Sequence, residues 1–238
     1  MIVVMQCAKT KRAEAGYMRT MDGQKVVFVA HPSDAPPKPN IVYARPDEAI
    51  DTNSATDAQR TWRDEVEDYN LSHNADPSYN PLNLLPANQF YNKPAYKMLT
   101  DHLSPDSFYI LSAGWGLIKS SFLIPYYDIA FNPKPSERYQ RRSPKDMYQD
   151  FAMLPNEISE PVIFLGGLKY VPLFCELTNE IKERRIVFHN SKKPPTAPKC
   201  EIYKFSTRQR TNWHYQCAKD SVKEDSIVKQ IIYGDPQS

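Results

Sequence analysis

The chain has 238 residues, 41% of them hydrophobic and 12% aromatic, and a formal net charge of +2. This is enough apolar material for an α/β-sized core, too apolar for a disordered segment, and too nearly neutral for the total charge to indicate a partner. The four cysteines (Cys7, Cys175, Cys200, Cys217) contain no C-x-x-C pair and the five histidines no H-x-x-x-H spacing, so neither a metal site nor a cofactor is expected.

Residues 1–6 open the chain as a short buried strand. That run is too short for a signal-peptide core, and no stretch approaches the ~20 apolar residues of a membrane span, so a soluble cytoplasmic protein with free thiols is expected. Cys7-Ala8-Lys9-Thr10-Lys11-Arg12 follows as a basic loop at the strand's carboxyl end. Residues 25–30 and 41–43 predict two further strands. From Thr56 the pattern turns helical, with Thr56 or Asp57 as cap and Trp62, Val66 and Tyr69 on one face. Residues 16–85 as a whole read as an insertion. Residues 91–103 predict a helix carrying Tyr96, Met98, Leu99 and His102.

The stretch 108–131 is the centre of the chain. Phe108-Tyr109-Ile110-Leu111 breaks at Ser112-Ala113-Gly114-Trp115-Gly116 and returns as Pro125-Tyr126-Tyr127-Asp128. An apolar run followed at once by glycine is typical of a parallel strand leaving its sheet, and ligands of open α/β sheets sit just beyond such ends. Ser143-Pro144-Lys145-Asp146 carries the signature of a helix start. Residues 162–165, closed by Gly166-Gly167, predict another buried strand. Tyr170, Phe174, Leu177 and Ile181 then form the stripe of a helix. Late strands are predicted at 186–188 and 202–205, and a last helix from Cys217 to Tyr233. Alternating strands and helices give the fold class: one α/β domain over residues 1–238, three layers deep, with a mainly parallel sheet.

Charge is unevenly spread. Residues 47–76 hold nine acids against two bases, and residues 182–210 nine bases against two acids. A polarised surface and ordinary solvated faces both account for this.

Three blocks resemble one family. Cys7-Ala8-Lys9-Thr10-Lys11 is similar to a C-S-K-T-K strand-to-loop motif, with alanine in the serine's place. Residues 109–117 with Pro125-Tyr126-Tyr127-Asp128 resemble Y-I-L-S-A-x-x-G-L … I-x-P-Y-D, with one tyrosine more before the aspartate. Leu165-Gly166-Gly167-Leu168-Lys169-Tyr170 resembles L-G-G-x-x-Y. All three occur in the YaaA-like peroxide-stress DNA-binding proteins and related small domains of phage and bacterial genomes. The resemblance spans residues 1–15 and 88–180. It implies a fold similar to uracil-DNA glycosylases and, for some members, removal or exchange of modified bases on nucleic acid.

The residues themselves define the candidate chemistry. Asp128 can activate water or stabilise the oxocarbenium-like sugar formed as a base departs, and the Lys11 amine can form a Schiff base with an abasic sugar. Ser112, with the N–H groups of Gly114 and Gly116, and Asn92 suit a base edge; Trp115, Tyr126 and Tyr127 suit stacking, worth about 1–3 kcal/mol per base. Asn70 and Asn88 are further polar side chains that can read a base or cap a turn. Lys9, Arg141, Arg142, Arg208, Arg210 and Trp213 are candidates for nucleic-acid contact. The ordinary alternatives are a turn-capping aspartate, core aromatics and solvated bases. The expectation is a DNA N-glycosylase removing a modified pyrimidine, with DNA ahead of RNA as partner and no membrane. Its alternatives are a non-catalytic DNA-binding stress protein and a nucleoside or nucleotide transferase or hydrolase.

Overall fold

The computed structural model describes residues 1–50, 60–143, 146–209 and 211–234. In chain order the elements are β1 (Ile2–Gln6), β2 (Lys25–Phe28), β3 (Ile41–Ala44), α1 (Trp62–Ala75), β4 (Leu85–Pro86), α2 (Ala87–Phe90), α3 (Pro94–His102), β5 (Phe108–Ser112), β6 (Gly116–Lys119), β7 (Leu123–Ile124), β8 (Phe151–Ala152), β9 (Val162–Leu165), α4 (Val171–Leu177), β10 (Arg185–His189), β11 (Glu201–Lys204), α5 (Trp213–Ser221) and α6 (Ile227–Tyr233).

Strand β1 reads as an unbroken apolar run because both its faces are covered. Val3 and Met5 enter one core layer; Ile2 and Val4 enter the other. The main sheet has seven strands in the order β11-β10-β9-β1-β5-β6-β8. Only the β5–β6 hairpin is antiparallel; the other pairings in this sheet are parallel. Helix α4 covers one face through Val171, Phe174 and Cys175. On the opposite face, α1, α3, α5 and α6 contribute Trp62, Val66, Tyr96, Leu99, Trp213 and Val228. This is the expected α/β arrangement of three layers around a mainly parallel sheet.

Between β1 and α2 the chain forms the parallel pair β2–β3 and helix α1. Val26, Phe28, Ala44, Trp62 and Val66 from this segment join the same core layer as Val3 and Ile110. Thr56 and Asp57, expected to cap α1, lie outside the described residues. The cap is Thr61: its side chain accepts from the Asp64 N–H, and the Asp64 carboxylate accepts from the Thr61 N–H at 2.9 Å. Asn70 is buried and structural. It donates to the carbonyls of Val66 and Leu123 and accepts from the Leu123 N–H at 2.7 Å, stitching α1 to β7.

Two predicted helices differ. Residues 146–150 are not helical; the Asp146 carboxylate simply accepts from the Ser143 N–H at 2.7 Å, and Pro144 and Lys145 lie outside the described residues. The single C-terminal helix is two helices, because the Ser226 hydroxyl accepts from the Lys229 N–H at 3.0 Å and starts α6 afresh. Among the described residues no helix is long and apolar enough to cross a membrane.

The break after β5 is a hairpin rather than an exit from the sheet. Gly116 takes φ +78°, and a Cβ there would lie 2.6 Å from the Phe151 carbonyl oxygen of β8. Gly114 admits the Tyr127 ring, which would stand 2.8 Å from an added Cβ. Both glycines serve close packing of protein on protein. Gly116→Ala is therefore expected to lower stability by about 3 kcal/mol, combining left-handed strain with overpacking. Gly23 has φ +84° but open space around it, so Gly23→Ala should cost about 1 kcal/mol. Urea denaturation of both variants checks this; equal losses would contradict the packing role.

Candidate active site

Beyond β1 the chain is held in place on one side. The Cys7 N–H donates to the Leu111 carbonyl at 2.9 Å, Arg12 N–H to Phe90 at 3.0 Å, and Asn92 N–H to Thr10 at 3.2 Å. Residues 7–12 thus run as a loop pinned against residues 90–92. The 125–128 segment is pinned independently: Tyr126 N–H donates to the Gly16 carbonyl at 2.8 Å and Asp128 N–H to Phe28 at 2.7 Å. Extended backbone alternates its side chains. Tyr127 therefore points inward, and Tyr126 and Asp128 point outward together.

The inward side is a closed hydroxyl network. The Tyr127 ring stacks on Phe90 with centroids 5.7 Å apart. Its hydroxyl lies 2.8 Å from the Tyr91 hydroxyl and accepts from Ser112 Oγ at 3.0 Å. Ser112 Oγ accepts in turn from the N–H groups of Gly114 and Trp115 at 3.2 and 3.1 Å. Burial pushes the Tyr91 and Tyr127 phenols well above their ordinary range, so they remain neutral hydrogen-bonding groups. Cys7 Sγ sits 3.1 Å from the Tyr170 hydroxyl, tying the β1 loop to the turn after Gly166-Gly167.

On the outward side, Lys11 Nζ donates to Asp128 Oδ1 at 3.4 Å. The Tyr126 hydroxyl donates to the same carboxylate at 3.2 and 3.3 Å. The ammonium stands 4.7 Å from the Tyr127 ring centre and 5.9 Å from that of Tyr126, within cation–π range. The Lys11 side chain is 10% exposed and that of Asp128 30% exposed, so the amine is largely sheltered and the carboxylate partly open to solvent. Tyr17, which sequence reasoning missed, packs against Tyr126 at 5.2 Å, and Lys25 lies 4.9 Å from the Tyr17 ring. Burial, then the Asp128 charge, raises the phenol pKa of both Tyr17 and Tyr126.

Five expected contact residues have other roles. Ser112 is fully buried and its hydroxyl is committed to Tyr127 and the hairpin. Trp115 is 1% exposed, between Phe28 and Phe151, and Tyr127 is buried entirely. Arg142 is buried against Asp150 at 2.8 Å and donates to the Ala113 carbonyl at 3.0 Å, so it anchors the hairpin. Burial raises the Asp150 carboxyl even so, against the pull of that guanidinium. Trp213 is buried beside Phe205. The Gly114 N–H offered to a ligand is likewise taken by Ser112.

Lys9, Asn92, Arg141 and Arg208 are exposed; Arg210 lies outside the described residues. Asn88 donates to Thr100 Oγ1 at 3.1 Å. Arg208 borders an open groove of about 670 Å³ with Asn190, Lys192 and Thr207. This groove follows the carboxyl ends of β10 and β11, the same sheet edge from which Lys11 emerges. Strand β11 lies three strands from β1, about 14 Å across the sheet. A second groove, of about 620 Å³, is bordered by Tyr43, Arg60, Trp62 and Glu65 and does not include Asp128.

Gln6, at the end of β1, was also missed. Its Oε1 accepts from the Gly167 N–H at 2.7 Å, which turns its Nε2 toward His214 Nε2 at 3.3 Å. The amide donates there, so the imidazole accepts and is neutral. Compared with models of known protein families, with characterised proteins and with solved structures, the chain matches none.

Burial lowers the His214 pKa to about 4 from 6.5. Above pH 6.5 neither the folded nor the unfolded histidine is charged. As pH falls from 6.5 toward 4 only the unfolded chain gains the proton, so stability falls, by up to about 3 kcal/mol from this group. Thermal melts from pH 7 to 4 are expected to show a shallower acid loss in His214→Gln than in the parent; identical slopes would contradict the assignment.

Proposed function

We propose that the chain is a DNA N-glycosylase that removes a modified pyrimidine, with Lys11 and Asp128 at the reacting centre. The observation carrying this reading is the meeting of these two side chains, 117 residues apart in sequence, at 3.4 Å beyond the carboxyl end of the central strand. An amine beside a carboxylate is the pairing a covalent glycosylase step requires. Asp128 takes a proton from the Lys11 ammonium, and the freed amine attacks C1′ of a flipped nucleotide. The nitrogen–carbon bond forms as the glycosidic bond to the base breaks; the base leaves with the bonding pair and takes the proton that Asp128 had accepted. Opening of the sugar gives a Schiff base, and water then releases the amine and leaves an abasic sugar.

Tyr126, with its phenol pKa raised, stays protonated and holds the carboxylate in place. Tyr126 and Tyr17 offer the stacking surface, and Lys9, Arg141 and Arg208 are exposed for phosphates. The resemblance of the three sequence blocks to the YaaA-like family supports the choice of nucleic acid over a free nucleoside.

A second reading, a DNA-binding protein without catalysis, is favoured by one observation: the rings of Trp115, Tyr127 and Trp213 are in the core and unable to hold a flipped base. It predicts salt-sensitive binding with no base released from any DNA.

The two readings separate in an abasic-site assay on DNAs carrying different modified pyrimidines. The glycosylase reading expects release by the parent and a loss of about 10²–10³-fold in Asp128→Asn and in Lys11→Ala. It also expects a borohydride-trapped adduct that requires Lys11. Release without an adduct would assign the attack to water activated by Asp128. Undiminished release in Asp128→Asn would overturn the site.

A further inference from the structure

Helix α4 and the turn before β11 bring two thiols together on the far face of the sheet. Cys175 Sγ and Cys200 Sγ are 3.9 Å apart, in contact but unbonded. Cys175 is buried and Cys200 half-buried. Beside them Arg185, at the start of β10, is only 3% exposed. Its guanidinium donates to Thr178 Oγ1 at 3.1 Å and to the Lys199 carbonyl at 3.2 Å, both uncharged acceptors. Glu201, on the neighbouring strand, is already held by Arg184 at 2.8 Å. Among the described residues no carboxylate pairs with Arg185. A buried cation without a counter-charge is costly, and a nearby thiolate lowers that cost.

We propose that Cys175 and Cys200 form a reversible dithiol–disulfide pair, with Cys200 the attacking thiolate, Cys175 the resolving thiol and a low-molecular-weight disulfide as oxidant. The Cys200 thiolate attacks one sulfur of the oxidant. A mixed disulfide forms and the first small thiol leaves, taking a proton. The Cys175 thiol gives up its proton and attacks the Cys200 sulfur. The protein disulfide forms and the second small thiol leaves. Two electrons pass from the protein dithiol to the oxidant, and each step conserves atoms.

The roles follow from position. Cys200 is the more accessible of the two and lies outside any helix or strand. The hydrogen bond from Cys175, and then the Arg185 charge, hold the Cys200 thiol down at about 7 against the opposing effect of burial. The sulfurs must approach by about 2 Å to bond. The Cys200 turn feeds β11, an edge strand with one neighbour, β10, so no second strand resists the shift. Closing a loop between residues 25 apart would fasten α4 to the sheet edge and raise thermal stability by several degrees.

The test uses the full chain equilibrated in glutathione redox buffers, acid-quenched, alkylated and peptide-mapped. The expected product is a Cys175–Cys200 disulfide with Cys7 and Cys217 recovered as thiols, and a higher melting midpoint in the oxidised parent alone. Cys175→Ser should trap Cys200 as a stable mixed disulfide with glutathione, and Cys200→Ser should leave Cys175 unmodified. Recovery of both thiols in the most oxidising buffer, or a persistent mixed disulfide on Cys200 of the parent, would overturn the proposal. A mixed disulfide on Cys175 in Cys200→Ser would overturn the assignment of roles. The parent mapping stands whether or not either variant folds.

Discussion

Tyr127 fixes the geometry on which the candidate site depends. Its ring is clamped against Phe90, and its hydroxyl is shared between Tyr91 and Ser112. Because side chains of an extended segment alternate, an inward residue at 127 forces 126 and 128 outward. The backbone on either side is held by Gly16 and Phe28. The loop after β1 is held by Phe90 and Asn92 in the same neighbourhood. Lys11 and Asp128 therefore meet because two separately anchored segments present them to each other, and their own attraction, at partial exposure, contributes little to the fold.

The aromatic richness of the chain is spent mainly inside. Trp115, Tyr91, Tyr96 and Tyr127 are among the largest fully buried side chains. The three tyrosine hydroxyls are met by Ser112, by the Gln6 carbonyl and by one another, whereas the buried Trp115 indole N–H has no partner among the described residues. Tyr17 and Tyr126 remain half-exposed at the rim, next to the Lys11–Asp128 pair. Gln6 shows the same economy at the end of the central strand: one side chain reaches both the Gly167 turn and His214 of α5, and its backbone carbonyl accepts from Tyr96 at 2.7 Å. The carboxyl end of the central strand is thereby tied to both covering layers.

Much of the architecture was legible in the sequence. Strands β1, β5 and β9 are buried on both faces, so their unbroken apolar runs announce them; Lys11, in the loop that β1 feeds, and Asp128, beyond β7, were both singled out from the sequence, and the structure brings them together at 3.4 Å. The hairpin was not legible: a glycine after an apolar run marks a sheet exit and a tight reversal equally well, and only the +78° at Gly116 decides between them. Nor can composition tell an aromatic at a rim from one beneath it. Trp115 is covered because β8 adds beyond β6 and brings Phe151 over it, a long-range pairing that leaves no local trace. Arg142 was read as a phosphate ligand for the same reason, its partner Asp150 lying in a segment that the capping pattern assigned to a helix. Tyr17 went unnoticed inside a stretch read as an insertion, where neither periodicity nor a motif marks it.

The most direct test of the central claim is a double-mutant cycle in single-turnover base release, comparing Lys11→Ala, Asp128→Asn and the two together. If amine and carboxylate act as one unit, the double variant should be no slower than the worse single variant, since either substitution alone disables the pair. Losses that simply multiply would show two independent residues and contradict it.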